Sequence, residues 1–99
     1  MDHLEFTAKV RRFMADHGQP MDRRSRIIKF YGEVEEFIDA RRFEIEVEEA
    51  QEAIDCGVTA WCLMLAYGIE NPFEAMLAKL DEAAKRPHYQ AIRKRRLDE

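Results

Sequence analysis

The chain has 99 residues, of which 46% are hydrophobic and 36% are charged, and its formal net charge at pH 7 is −4. This length and balance fit one small globular domain and exclude an intrinsically disordered chain. Four glycines and three prolines are too few for a β-sandwich or barrel, and the longest run without a charged residue, 56–69, is too short to cross a bilayer.

Apolar residues recur at helical spacing along nearly the whole chain and predict four helices. The first opens after Asp2, a suitable N-cap, and ends in the His-Gly-Gln-Pro segment at 17–20. The second opens after Asp22 and runs to about Ala40, and residues 41–43 form a short connection.

The third and fourth helices differ in how clearly their ends are marked. The third, which is the longest, is predicted from about Glu44 to Tyr67 and ends at Gly68. The fourth opens at residues 71–74 (Asn-Pro-Phe-Glu), which supply an N-cap, a proline at N1 and a glutamate at N3, and it ends at Pro87.

Four helices with short loops predict an all-α fold, an antiparallel four-helix bundle that forms a single domain over residues 1–99. The basic tail at about 88–99 has only a weak helical pattern. The third helix is apolar on nearly every side between Cys56 and Leu65. Because such a helix must be covered on every side, we expect self-association into a homodimer or homotetramer, with Trp61 or its neighbours between subunits.

The two cysteines and the N-terminus bear on location. Cys56 and Cys62 lie six residues apart on one helix, so they point in different directions and should not form a disulfide. No basic, apolar leader is visible at the N-terminus. We therefore expect a cytoplasmic protein that does not enter a membrane.

Charge is distributed very unevenly along the chain. Residues 33–55 include ten acidic and two basic side chains, whereas residues 85–96 include six basic and no acidic ones. Like charges crowded into a compact domain repel one another. We expect solvent, the basic segments or bound cations to offset the acidic stretch.

Two pairs of carboxylates in the acidic stretch have the i, i+3 spacing that can build a metal-binding site. Glu33 and Glu36 share one face of the second helix, and Glu52 and Asp55 share one face of the third. Both pairs lie at similar distances from the turn near Arg42, so they can meet across the seam between antiparallel helices. Four converging carboxylates repel one another, and a hard divalent cation such as Mg²⁺ would relieve this repulsion.

Other chemistry is less well supported. The chain has no phosphate-binding glycine loop, no nucleophile elbow, no zinc-type cysteine or histidine spacing and no Glu-x-x-His motif of a di-iron bundle. The alternative to a metal site is a solvated acidic face, the role we expect for Glu46, Glu48 and Glu49.

The acidic pairs also carry a family resemblance. Residues 32–37 (Gly-Glu-Val-Glu-Glu-Phe) followed by 52–55 (Glu-Ala-Ile-Asp) resemble the Glu-x-x-Glu and Glu-x-x-Asp signature of the MazG-like all-α nucleoside triphosphate pyrophosphohydrolases. Residues 10–14, the Gly-Gln pair at 18–19 and residues 66–69 are similar to further parts of short members. With two basic positions on the fourth helix, the resemblance covers roughly residues 4–87.

The resemblance implies Mg²⁺-dependent hydrolysis of a nucleoside or deoxynucleoside triphosphate to the monophosphate and pyrophosphate, with Mn²⁺ as an alternative ion. The implied catalytic and metal-binding residues are Glu33, Glu36, Glu52 and Asp55. The implied phosphate-binding residues are Lys79 and Arg86, and Lys29 is a further candidate because it lies one turn before Glu33. Ala83 departs from the pattern, since members often carry an asparagine there.

Two other functions remain open at this point. Phosphoribosyl-ATP pyrophosphohydrolases share the signature and are the enzymatic alternative. A non-enzymatic helical dimer or interaction module with a basic tail is the other. The negative net charge, and the lack of aromatic residues among the four bases at 93–96, argue against nucleic acid as the partner.

Overall fold

The computed structural model describes residues 2–98, which form α-helices and no strand. The five helices are α1 (His3–Asp16), α2 (Arg23–Arg42), α3 (Glu46–Ala66), α4 (Pro72–Ala84) and α5 (Pro87–Asp98). The all-α prediction is confirmed.

Side-chain caps open three of these helices where the sequence predicts them. Asp2, Asp22 and Asn71 each accept a hydrogen bond from the backbone N–H of the third residue after it, at 2.8, 2.9 and 3.1 Å. Each bond satisfies a donor that has no partner inside its helix. Gly68 ends the third helix with a φ of 83°, in the left-handed region that favours glycine.

Two boundaries differ from the prediction. The second helix continues to Arg42 and the third begins at Glu46, so the three-residue connection shifts from 41–43 to 43–45, where Glu44 takes a φ of 56°. The basic tail is a fifth helix rather than a weakly patterned end, because Pro87 opens it at the first helical position instead of only ending the helix before it.

Helices α2 and α3 form an antiparallel pair. Residues equally distant from the short turn face each other: Arg41 Nη1 lies 3.6 Å from Glu49 Oε1, and Glu36 lies beside Glu52 farther along the same seam. The first helix packs against α3 and closes the core, whose buried cluster is Val10, Met14, Cys62 and Leu65.

The apolar part of α3 is covered within one chain to a greater extent than its sequence predicts. Thr59, Cys62 and Leu65 are buried, and the half-buried Trp61 donates a hydrogen bond through Nε1 to Thr7 Oγ1 at 3.1 Å. Val58 stays 41% exposed and Trp61 only half-buried, so the location of Trp61 or its neighbours between subunits stays a prediction. Cys56 and Cys62 are both free, as predicted.

The packing of α4 against this core does not confirm a four-helix bundle. Pro72 is the one buried residue of α4, while its apolar stripe of Phe73, Met76, Leu77 and Leu80 is exposed. A hydrogen bond of 3.1 Å between the Asn71 side chain and His3 joins the start of α4 to α1. The antiparallel four-helix bundle stays a prediction.

Within residues 2–98, no helix combines the length and the apolar character that crossing a membrane requires.

Candidate metal centre and adjoining cavity

Three of the four predicted ligands meet at the seam between α2 and α3. Glu33, Glu36 and Glu52 each offer a carboxylate oxygen, and these oxygens lie within 4.8 Å of one another. The i, i+3 spacing on α2 and the antiparallel pairing with α3 produce this group, as the sequence analysis predicts. We call these three residues the glutamate cluster.

Glu33 is the buried member of the glutamate cluster, with 7% of its surface exposed. Its Oε1 lies 2.8 Å from Lys29 Nζ, whereas its Oε2 is buried without a hydrogen-bond partner. A buried carboxylate oxygen without a partner is costly, because it has lost water and gained nothing in exchange. A cation between the three carboxylates would satisfy it.

The surroundings of Glu52 disfavour its ionised form. Its Oε2 is also buried without a hydrogen-bond partner. Burial raises the pKa of Glu52, and the carboxylates of Glu36, Asp55 and Glu33 raise it further. Both effects disfavour the ionised form, and a bound cation would reverse them.

Asp55 is the predicted ligand that lies outside the group. Asp55 is exposed. It acts on the cluster through its negative charge, which is one of the causes that raise the pKa of Glu52. It lines the same cavity as Glu33. Its role as a fourth ligand stays a prediction.

The three predicted phosphate-binding residues lie in two different places. Lys29 is at the cluster, where its bond to Glu33 raises the pKa of its ammonium group and keeps it charged. Lys79 pairs with Glu82 at 3.5 Å on the exposed side of α4, and Arg86 lies in the turn between α4 and α5. Neither Lys79 nor Arg86 lines the cavity beside the glutamates.

The donor set of the cluster fits a hard cation. Carboxylate oxygens are the ligands that Mg²⁺ and Mn²⁺ prefer. Cys56 follows Glu52 by one helical turn and could in principle add sulfur. However, burial raises the pKa of its thiol, as do Glu33 and the other acidic groups nearby, so it stays protonated and is a poor ligand for softer metals.

A cavity of about 600 Å³ opens beside the cluster, between α1, α2 and α3. Its volume is within the range of small-molecule sites. Glu33 and Asp55 line its acidic end, and its apolar walls are Phe6, Val10, Phe13, Met14 and Val58. Three cationic side chains also line it, namely Lys9, Arg26 and Lys29.

Arg26 is the residue of this cavity that sequence reasoning missed. It is 5% exposed, and its Nε has no hydrogen-bond partner. It lies beside Cys62, where burial raises the pKa of the thiol and the guanidinium charge opposes that effect. The sequence feature that could have identified Arg26 is its position seven residues before Glu33, which places both residues on one face of α2.

Comparisons of this chain with models of known families, with curated proteins and with solved structures find no match.

Proposed function

We propose that this protein is a Mg²⁺-dependent pyrophosphohydrolase that hydrolyses a nucleoside or deoxynucleoside triphosphate to the monophosphate and pyrophosphate. The observation that carries the proposal is the buried Oε2 of Glu33, which has no hydrogen-bond partner; Glu33 belongs to a cluster of three carboxylates and also lines a nucleoside-sized cavity. The resemblance of the two acidic motifs to the MazG-like enzymes supports the same reaction.

Mg²⁺, or Mn²⁺ in its place, would be held by Glu33, Glu36 and Glu52, with Asp55 as the predicted fourth ligand. When bound, such an ion supplies positive charge that offsets the negative phosphates and promotes the loss of a proton from water. Without a cation, the acidic end of the cavity repels a triphosphate.

The chain's own residues supply the remaining functions. Lys29 has about half of its side chain exposed, so its ammonium group can leave Glu33 and bind a phosphate oxygen. A carboxylate of the cluster that keeps a free oxygen accepts the proton of the attacking water. One water is consumed, and the bond broken is the anhydride between the α- and β-phosphates.

Self-association is part of the proposal, as a homodimer or homotetramer. The exposed apolar stripe of α4, which runs from Phe73 to Leu80 at helical spacing, supports a second chain as its cover. In such an assembly Lys79 and Arg86 would reach the phosphates from a neighbouring chain. The proposed location is the cytoplasm, since both cysteines are free thiols.

Product analysis tests the proposed reaction. The protein is incubated with Mg²⁺ and each nucleoside and deoxynucleoside triphosphate, and with phosphoribosyl-ATP, and the products are separated by chromatography. We expect a monophosphate and pyrophosphate in equal amounts. Diphosphate with orthophosphate, or no hydrolysis of any substrate, would contradict the proposal, and phosphoribosyl-ATP as the sole substrate would select the enzymatic alternative.

The non-enzymatic alternative has one supporting observation, the exposed basic residues 93–96 on α5. If this helix binds an acidic partner, the protein without hydrolytic activity should still bind nucleic acid or an acidic protein at low salt and lose that binding at high salt.

A further inference from the structure

The most unusual side chain outside the glutamate cluster is Arg26. We propose that its guanidinium group recognises a keto oxygen on the base of the nucleotide, so that the enzyme prefers keto bases (guanine, hypoxanthine, uracil and thymine) to amino bases (adenine and cytosine). This inference rests on the proposed function, because it assumes that the cavity receives a nucleotide.

Arg26 is buried without an ion pair in the part of the chain that the structure describes. Arg26 is 5% exposed, and within residues 2–98 no carboxylate lies within ion-pair distance of it. Its Nε is buried and lacks a hydrogen-bond partner. A guanidinium group cannot lose its proton to escape this cost, so a ligand that supplies an acceptor would bind strongly there.

The position of Arg26 selects the base rather than the phosphates. It lies seven residues before Glu33 on α2, which is about 10 Å along the helix. If the phosphates lie at the glutamate cluster, that separation brings the base to Arg26. Apolar side chains, among them Phe6, Val10 and Phe13, line this cavity together with Arg26, and such walls suit the face of a base rather than an anion.

The chemistry of arginine selects keto bases. All five N–H groups of arginine are donors, so a guanidinium group placed at the O6 edge of hypoxanthine or guanine, or the O4 edge of uracil or thymine, is accepted there, whereas adenine and cytosine present an amino donor at the same position. A buried donor left without an acceptor is penalised, which makes the discrimination larger than a simple loss of one contact. We expect a preference of about ten- to a hundredfold.

Lys9 and Lys29 also line the cavity but do not give this selectivity. Both are exposed and flexible, and each presents a single charge rather than a planar fork. They can raise the affinity for any nucleotide without distinguishing its base.

The test uses two pairs of nucleotides, each with one keto and one amino member. The first pair is inosine triphosphate and adenosine triphosphate, and the second is uridine triphosphate and cytidine triphosphate. We expect kcat/KM to favour the keto member of each pair by about ten- to a hundredfold. Equal values within both pairs, with hydrolysis intact, would overturn this inference and leave the proposed function standing.

Binding is measured separately, by calorimetry with the corresponding monophosphates and without Mg²⁺. The same keto preference should appear there, since neither the metal nor the reaction is involved. If the protein binds keto nucleotides preferentially but hydrolyses none, the role of Arg26 is supported and the proposed pyrophosphohydrolase function is contradicted.

Substitutions then assign the preference to Arg26. Both Arg26→Met and Arg26→Gln should bring the keto-to-amino ratio close to one, since methionine cannot donate and a glutamine amide can either donate or accept. Arg24→Met, on the exposed side of the same helix, is the control and should keep the parent ratio. If Arg26→Gln keeps the parent keto-to-amino ratio while all four nucleotides bind equally more weakly, Arg26 binds phosphate and the inference is overturned.

The fold of both variants is checked by their unfolding transitions. Replacing a buried, unpaired charge with a methionine is expected to leave the stability unchanged or higher. If Arg26→Met fails to fold, Arg26→Gln alone decides the ratio.

Discussion

The N-terminal region, α1–α3, and the C-terminal region, α4–α5, differ in how well the sequence signals for helix ends match the burial of the helices. The N-terminal region contains the buried core, the glutamate cluster and the cavity. The C-terminal region begins at the best-marked helix start in the sequence, Asn71 with Pro72, yet Pro72 is its one buried residue among those described. A strong cap specifies where a helix begins, but it does not specify what the helix packs against.

The two regions also keep their charges apart. Each of the ion pairs among residues 2–98 joins groups of its own region: Lys29 with Glu33, and Arg41 with Glu49, in the first, and Lys79 with Glu82 in the second. The basic helix α5 therefore does not offset the acidic α2–α3 seam within one chain. Among residues 2–98, Lys29 is the cationic side chain that pairs with the glutamate cluster.

The largest effect should come from removing the buried ligand of the N-terminal region. Glu33→Gln deletes the charge of the buried cluster member, whose Oε2 has no hydrogen-bond partner, and we expect Mg²⁺-dependent hydrolysis to fall by at least about a hundredfold. The matched control is Glu35→Gln, an exposed glutamate on the same helix, which should retain parent activity. Equal activity of the two variants would show that Glu33 does not hold the metal needed for hydrolysis.

Asp55→Asn tests whether the exposed aspartate joins the cluster when metal binds. It removes one of several like charges, so the metal-free variant should melt at the same temperature as the parent or higher. Mg²⁺ should raise the melting temperature of the parent by mass action, and should do so much less for Asp55→Asn, which should also lose nearly all hydrolysis. Glu46→Gln is the control and should keep both the activity and the metal response. Equal metal-induced shifts in parent and both variants would remove Asp55 from the ligand set.

Leu80→Asp tests what covers the C-terminal region. Leu80 is 68% exposed in the single chain, so this change should not unfold it. If a second chain covers α4, however, burying an aspartate there should weaken association by at least about tenfold. Light scattering across a concentration series measures the change, and Ala78→Glu, away from the stripe on the same helix, is the control. A parent mass near 11.7 kDa at all concentrations would contradict self-association.

The smallest effect is a pH dependence of stability in metal-free protein. The folded-state pKa of Glu52 is raised above its ordinary value of 4.5, first by burial and then by Glu36, so the folded state binds a proton more readily than the unfolded state. The free energy of unfolding should therefore rise as the pH falls from neutral through the folded pKa towards 4.5, and Glu52→Gln should lose this gain. Urea titrations with a chelator at several pH values measure it. A gain of the same size in Glu52→Gln would assign the effect to another group.

Some of the site could be predicted from the sequence, since the relations involved are local. The i, i+3 spacing places Glu33 with Glu36, and a short turn places Glu52 opposite them at an equal distance along the neighbouring helix. The caps at Asp2, Asp22 and Asn71 were likewise readable, because each bonds within three residues of itself. By itself, then, the sequence determined the helices up to Pro87 and the meeting of the three glutamates.

The tertiary structure alone decided which faces of those helices are covered. Arg26 is on the same face of α2 as Glu33, but only the packing of α1 against α3 encloses it in a cavity without a partner. The same packing half-buries Trp61 within the chain and leaves the apolar stripe of α4 exposed. Helical spacing sets the direction in which a side chain leaves its own helix, whereas its burial depends on which distant segment packs there, and contacts between distant segments carry no local signature.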